Sequence, residues 1–132
     1  MATFDLTGRT ALVTGGNGGI GLGIAEALAE AGANVVIAGR DEGKNQAASS
    51  QINRHGGRCR PVRCDVDDLE DIDATIDETI NAFGGLQILV NNAGIAAGES
   101  PEDMSDAVWD SVVATNLRSV FRFSRQAFRA MK

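Results

Sequence analysis

The chain has 132 residues, of which 43% are hydrophobic, and a formal charge of -6 from 12 Lys and Arg against 18 Asp and Glu. This is enough apolar material for one ordinary domain and too little chain for two, and an acidic chain without a basic stripe argues against a nucleic-acid surface. No apolar run approaches the ~20 residues that cross a bilayer, and the opening MATFDLTGRT lacks the basic-then-apolar plan of a signal peptide, so a cytoplasmic protein with no membrane partner is expected.

The first predicted element is a buried strand at Thr10–Thr14 (TALVT), followed by the loop TGGNGGIG at 14–21. Ile20, Ile24, Ala27, Leu28 and Ala31 then make one apolar helical face, closed by Gly32. A second strand is predicted at 34–38 (NVVIA) and a more polar helix at 41–55, with Ala48 and Ile52 facing inward. His55, the single histidine, falls beside Gly56 and Gly57 at that helix's end, where a solvated role is expected. The weakest strand pattern, 58–64 (RCRPVRC), carries the only cysteines, Cys59 and Cys64. Their placement is poor for a metal and suits structural thiols in a reducing compartment.

The acidic run DVDDLED opens the third helix, where carboxylates favour the N-terminus. It is no calcium loop, because Leu69 and Glu70 stand where a ligand and a glycine are needed. No metal is expected. Leu69, Ile72, Ile76, Ile80 and Phe83 form the helix's stripe, ended by Gly84 and Gly85. A fourth strand is predicted at 87–90 (QILV). The last helix starts at Ser105, an N-cap, and its stripe is Trp109, Val112, Val113, Asn116, Leu117, Val120, Phe121, Ser124 and Phe128.

Strand and helix alternate four times, which predicts right-handed βαβ crossovers. The fold class is therefore α/β: a Rossmann-like three-layer αβα domain over 1–132 with a parallel four-stranded sheet, a flavodoxin-like strand order being the alternative. The switch in strand order is expected beside the first strand, with ligands bound beyond the strands' carboxyl ends.

The loop at 14–21 has five glycines in eight residues between a strand and a helix. Glycine lets the backbone adopt positive φ and approach a ligand, and the helix's free N–H groups and dipole then meet an anion such as a pyrophosphate. Two registers fit: Gly16, Gly18 and Gly21 as G-x-G-x-x-G, or Gly15, Gly19 and Gly21 as G-x-x-x-G-x-G. No Lys-Ser/Thr follows, so this is no P-loop. Asp65 could accept from an adenine amino group or serve only as a helix-start carboxylate. One amide of Asn91 and Asn92 is expected to tie neighbouring strands. Ala93 and Gly94 are small enough for a ribose to lie on the backbone. Asn116 is a polar residue in an apolar stripe, read either as a functional amide or as one bonded to nearby backbone.

In this order, Thr14-Gly15-Gly16-Asn17-Gly18-Gly19-Ile20-Gly21, Asp65-Val66, Asn91-Asn92-Ala93-Gly94 and Asn116 resemble the motifs of the short-chain dehydrogenase/reductase family over the whole chain. The resemblance implies hydride transfer between a nicotinamide and an alcohol or carbonyl, and the Gly15, Gly19, Gly21 register. It implies cofactor contacts from Gly15, Asn17, Gly18, Gly19, Ile20, Gly21, Arg40, Asp65, Val66, Asn91, Ala93 and Gly94, and a catalytic role for Asn116.

An NAD site places an acid about 20 residues past the glycines. Here Gly39 holds that place and Arg40 follows, able to pair with a 2′-phosphate through bonds of about 1.5–3 kcal/mol each. NADP(H) is favoured over NAD(H), although Asp41 is close enough to replace the acid and Asn17 and Gly18 supply no basic side chain. The family's catalytic Ser, Tyr and Lys lie downstream of the Asn. This chain has no tyrosine, and Lys132 is terminal. The expectation is an N-terminal half, binding dinucleotide at best and inactive alone. A non-catalytic oligomeric half-fold is the alternative. A homo-oligomer through the fourth-strand edge or the last helix is expected. The segment at 95–104 (IAAGESPEDM) is read as a solvated loop that could border a substrate mouth.

Overall fold

The computed structural model describes residues 4–95 and 98–132. The strands are β1 (Thr10–Thr14), β2 (Asn34–Gly39), β3 (Arg58–Arg63) and β4 (Ile88–Val90), all parallel in the order β3-β2-β1-β4. The order reverses beside β1, as in a Rossmann half, and not as in the flavodoxin arrangement. Helices α1 (Gly19–Glu30), α2 (Glu42–Arg54) and α3 (Leu69–Phe83) connect the strands. After β4 come α4 (Asp106–Val113), a π-helical turn (Ala114–Arg118) and α5 (Ser119–Met131).

Side chains alternate across the sheet, so each strand feeds two cores. Leu12, Val36, Ala38 and Val62 pack with Ile72, Ile76, Phe123 and Ala127 from α3 and α5. Val13, Val35, Ile37 and Cys59 pack with Ala25, Ala48 and Ile52 from α1 and α2. Strands buried on both faces explain the continuous apolar runs of β1 and β2.

Three predicted faces need correction. In α1, Ile20 is 79% exposed and Ala27 is exposed, while Gly21 and Ala25 are buried. The helix presses its smallest residues on the sheet, so its larger apolar residues lie to either side. In α3, Leu69 is exposed, and Thr75 and Thr79 are buried instead, each hydroxyl donating to the carbonyl four residues back. In the last helix Trp109, Leu117, Phe121 and Phe128 are 59–65% exposed. The buried residues are Thr115, Ser119, Phe123 and Ala127, spaced by four. The π-helical turn resets the register there, and the helix docks through small and polar residues with Phe123 as its one large anchor. Among the described residues no helix is long and apolar enough to cross a membrane, and no group of His, Cys, Asp and Glu could hold a metal.

Candidate functional site

The carboxyl ends of the strands gather most of the sequence-selected residues. Gly15 leaves β1 with φ +65° and donates its N–H to Ala38 O at 2.8 Å. Gly19 opens α1 with φ +54°. At Gly21 an added Cβ would overlap the Gly15 carbonyl oxygen and Asn92 Nδ2. Gly18 is extended with open space around it. Two glycines of the G-x-x-x-G-x-G register thus need positive φ, and the third has no room for a side chain.

The helix that follows this loop differs from its neighbours. Asp41 caps α2, Asp68 caps α3 and Ser105 caps α4, each side chain accepting from a first-turn N–H. The N-cap of α1 is Gly18, which offers no side chain. The opening N–H groups of α1 are left for an external anion, and the helix dipole favours one.

Thr14 pins the loop to the end of β4. Its Oγ1 accepts from Asn92 N and Ala93 N, both at 3.0 Å, and donates to Val90 O at 3.4 Å. Asn92 Nδ2 donates to Gly15 O at 3.1 Å. Asn92 is therefore the amide that ties two strand ends, whereas Asn91 reaches away to Ser124 Oγ at 3.3 Å. Asp65 turns the chain after β3: its Oδ1 accepts from Asp67 N at 3.0 Å, and its N–H donates to Asp71 Oδ2 at 2.9 Å. Val66 is a buried core residue. Arg40 is exposed beyond β2 and makes no ion pair among the described residues.

Asn116 is exposed, contrary to its reading as a buried polar residue. It sits in the π-helical turn, with Oδ1 accepting from Ile95 N at 2.8 Å and Nδ2 donating to Ile95 O at 2.7 Å. The amide clamps the chain just past Gly94, whose added Cβ would come within 3.0 Å of Asn116 Oδ1. This backbone role was the alternative that the sequence left open. Ala96 and Ala97, within the segment read as a substrate border, lie outside the described residues.

Sequence reasoning missed two organising residues. Asn45 is buried on α2 and accepts from Asn17 Nδ2 at 2.9 Å. Its spacing of three and seven from Ala48 and Ile52 places it on the inward face, which was the available signal. Thr115 bonds Asp67 across 48 residues, and no local pattern announces that. The site is distinct from a cavity at the opposite end of the sheet. That cavity, about 440 Å³, lies between the far ends of α1 and α2, lined by Glu26, Gln51 and His55.

A sheet switching order beside a glycine loop defines a nucleotide-binding class of α/β protein. The short chain dehydrogenase family model matches residues 9–132, and the chain belongs to that family. It is 42% identical over 129 residues to D-beta-hydroxybutyrate dehydrogenase of Cupriavidus necator, covering 96% of this chain and 49% of that protein. Among solved structures, a dehydrogenase/reductase from Sinorhizobium meliloti 1021 superposes with a TM-score of 0.93 at 43% identity, over 96% of this chain and 51% of the other. A short chain dehydrogenase from Burkholderia cenocepacia J2315 in complex with NADP superposes with a TM-score of 0.89 at 38% identity, over 96% and 52%. The chain spans about half the length of the proteins it matches.

Proposed function

We propose that this chain is the nucleotide-binding half of a cytoplasmic short-chain dehydrogenase, that it binds NADP(H) in preference to NAD(H), and that it does not turn over substrate alone. The uncapped start of α1 behind the glycine loop is the observation that carries the reading. The backbone around Gly15, Asn17, Gly18, Gly19, Ile20 and Gly21 fits a pyrophosphate. Asp65 and the backbone of Val66 would face the adenine, and Ala93, Gly94 and Asn91 the ribose. Arg40, exposed and without an ion pair, suits a 2′-phosphate. A bound nicotinamide supplies the hydride donor or acceptor.

With no tyrosine among its 132 residues, the chain by itself lacks the general acid that the family uses to protonate a carbonyl oxygen. Catalysis would need residues supplied from beyond these 132. Asn116 would then support the reaction by holding the Ile95 backbone beside the nicotinamide end. Fluorescence titration of the purified chain with NADPH and NADH tests the reading. Saturable binding with NADPH the tighter is the expected result, and no saturable binding of either overturns it.

A second reading, a half-fold acting as an oligomeric scaffold, is favoured by the apolar residues exposed from α4 through the π-helical turn to α5. Trp109, Leu117, Phe121, Phe128 and Met131 are all exposed there. Under either reading, self-association through those residues or the β4 edge is part of the proposal.

A further inference from the structure

At the end of β2 a buried side chain organises the glycine loop. Asn45 is only 1% exposed. Its Nδ2 donates to Gly39 O at 2.9 Å and to Val62 O at 3.3 Å. These two carbonyls can only accept, so they orient the amide and leave Oδ1 as an acceptor. Oδ1 is met by Asn17 Nδ2 at 2.9 Å, which turns the NH2 end of Asn17 toward the β2 terminus. One Asn17 N–H is used there. The other has no partner among the described residues.

The pair lies across Gly39. A Cβ at that glycine would come within 2.6 Å of Asn17 Nδ2 and 2.9 Å of Asn45 Oδ1. Both atoms are held by the bonds just described, and an acid would add a carboxylate beyond that Cβ. An acidic residue that reads a ribose 2′-hydroxyl therefore cannot be introduced at 39 while the Asn17–Asn45 bond stands.

Resting on the NADP(H) reading, we infer that Asn45 is a specificity-determining positioning residue: it locks Asn17 over Gly39, bars an acid from the end of β2, and presents the second Asn17 N–H beside Arg40 to a 2′-phosphate. This neutral donor takes the place of a basic side chain in the glycine loop. Asn45 acts through Asn17 and touches no cofactor itself.

The test is parallel titration of NADPH and NADH with the full chain and its Asn17→Ala, Asn45→Ala, Gly39→Asp and Gly39→Asp/Asn45→Ala variants. Folding is checked by circular dichroism and thermal melting. Gly39 O keeps the Cys64 N–H, at 3.0 Å, when Asn45 is removed. Asn17 lies on the partly exposed loop, so its variant tests the inference even if Asn45→Ala fails to fold. Asn17→Ala and Asn45→Ala are each expected to weaken NADPH binding about tenfold more than NADH binding, the worth of one hydrogen bond to the charged 2′-phosphate that only NADPH carries. Gly39→Asp alone is expected to weaken both cofactors, and adding Asn45→Ala to restore NADH binding. Equal loss of both cofactors in the single Asn variants would reduce the pair to a structural role and overturn the inference. So would a Gly39→Asp variant that binds NADH as tightly as the double variant. Binding of neither cofactor by the unaltered chain overturns the dinucleotide reading, and the inference with it.

Discussion

The hydroxyl of Thr115 lies 2.9 Å from Oδ1 and 3.0 Å from Oδ2 of Asp67, joining the π-helical turn to the loop after β3. Arg122 Nη1 reinforces the junction by donating to Asp67 O at 3.4 Å. The bond links the loop proposed to face adenine with the turn that carries Asn116. Thr115 is 6% exposed whereas Asp67 is exposed, so water can replace the lost hydroxyl at the carboxylate. Thr115→Val is expected to destabilise the fold by about 0.5–1.5 kcal/mol, the net worth of one hydrogen bond whose partner stays solvated. Thr115→Ser should recover most of it. Urea unfolding of the three proteins measures this, and a Thr115→Val midpoint equal to the parent's would show that the bond contributes nothing.

Two glycines of one helix separate close packing from mere flexibility. A Cβ at Gly21 overlaps Gly15 O and Asn92 Nδ2, whereas at Gly23, two residues on, nothing lies within 4 Å. Gly21→Ala should destabilise by about 1–3 kcal/mol through overpacking and abolish dinucleotide binding by pushing the loop off β4. Gly23→Ala should stabilise by about 0.5–1 kcal/mol through helix propensity and leave binding alone. Thermal melting and NADPH titration of both variants decide it. A Gly21→Ala protein that melts and binds like its parent would contradict the packing described.

The architecture was legible in the chain because its signals are local. β1 was read with its observed limits, and Ser105 was recognised as the N-cap of α4: its Oγ accepts from Val108 N at 3.2 Å. Periodicity misled where a helix packs through small residues. In α1 the contact is made by Gly21 and Ala25, so Ile20 looked like core and is not. In the last helix the π-helical turn breaks the 3.6-residue count, and the strip that looked buried faces out. At the site, the glycine loop was readable as a motif, and so was a strand tie from one of Asn91 and Asn92, which in the structure is Asn92. The pairings of Asn45 with Asn17 and of Thr115 with Asp67 were not, because the partners are 28 and 48 residues away.

The two cysteines carry a pH signature. Burial pushes the thiols of Cys59 and Cys64 up from 9.0 to about 11. The folded chain therefore holds these protons more tightly than the unfolded chain between pH 9 and 11. Stability does not depend on them below about pH 9 and falls as pH rises from there toward 11. Urea midpoints at pH 8 and pH 10.5 should show the loss, and a Cys59→Ala/Cys64→Ala protein should show less of it. At pH 8 both thiols should resist alkylation until the chain is unfolded. Rapid labelling of the native protein would show that they are not held as described.

The outward face of α5 bears on self-association. Phe121 and Phe128 stand exposed, with Arg125 5.0 Å from the centroid of the first ring and Lys132 5.2 Å from that of the second. With Leu117 and Trp109 they make an apolar surface that water solvates poorly. The β4 edge pairs with β1 alone and leaves its other side unpaired among the described residues. Sedimentation equilibrium of the 132-residue chain should give a dimer or larger species. Phe121→Asp should shift it toward monomer, because a carboxylate buried without a partner is costly. The same change should leave the melting temperature of the dilute protein nearly untouched, since Phe121 contributes little to the internal core. A parent chain that stays monomeric at high concentration would remove self-association from the proposal. An oligomer indifferent to Phe121→Asp would move the contact to the β4 edge.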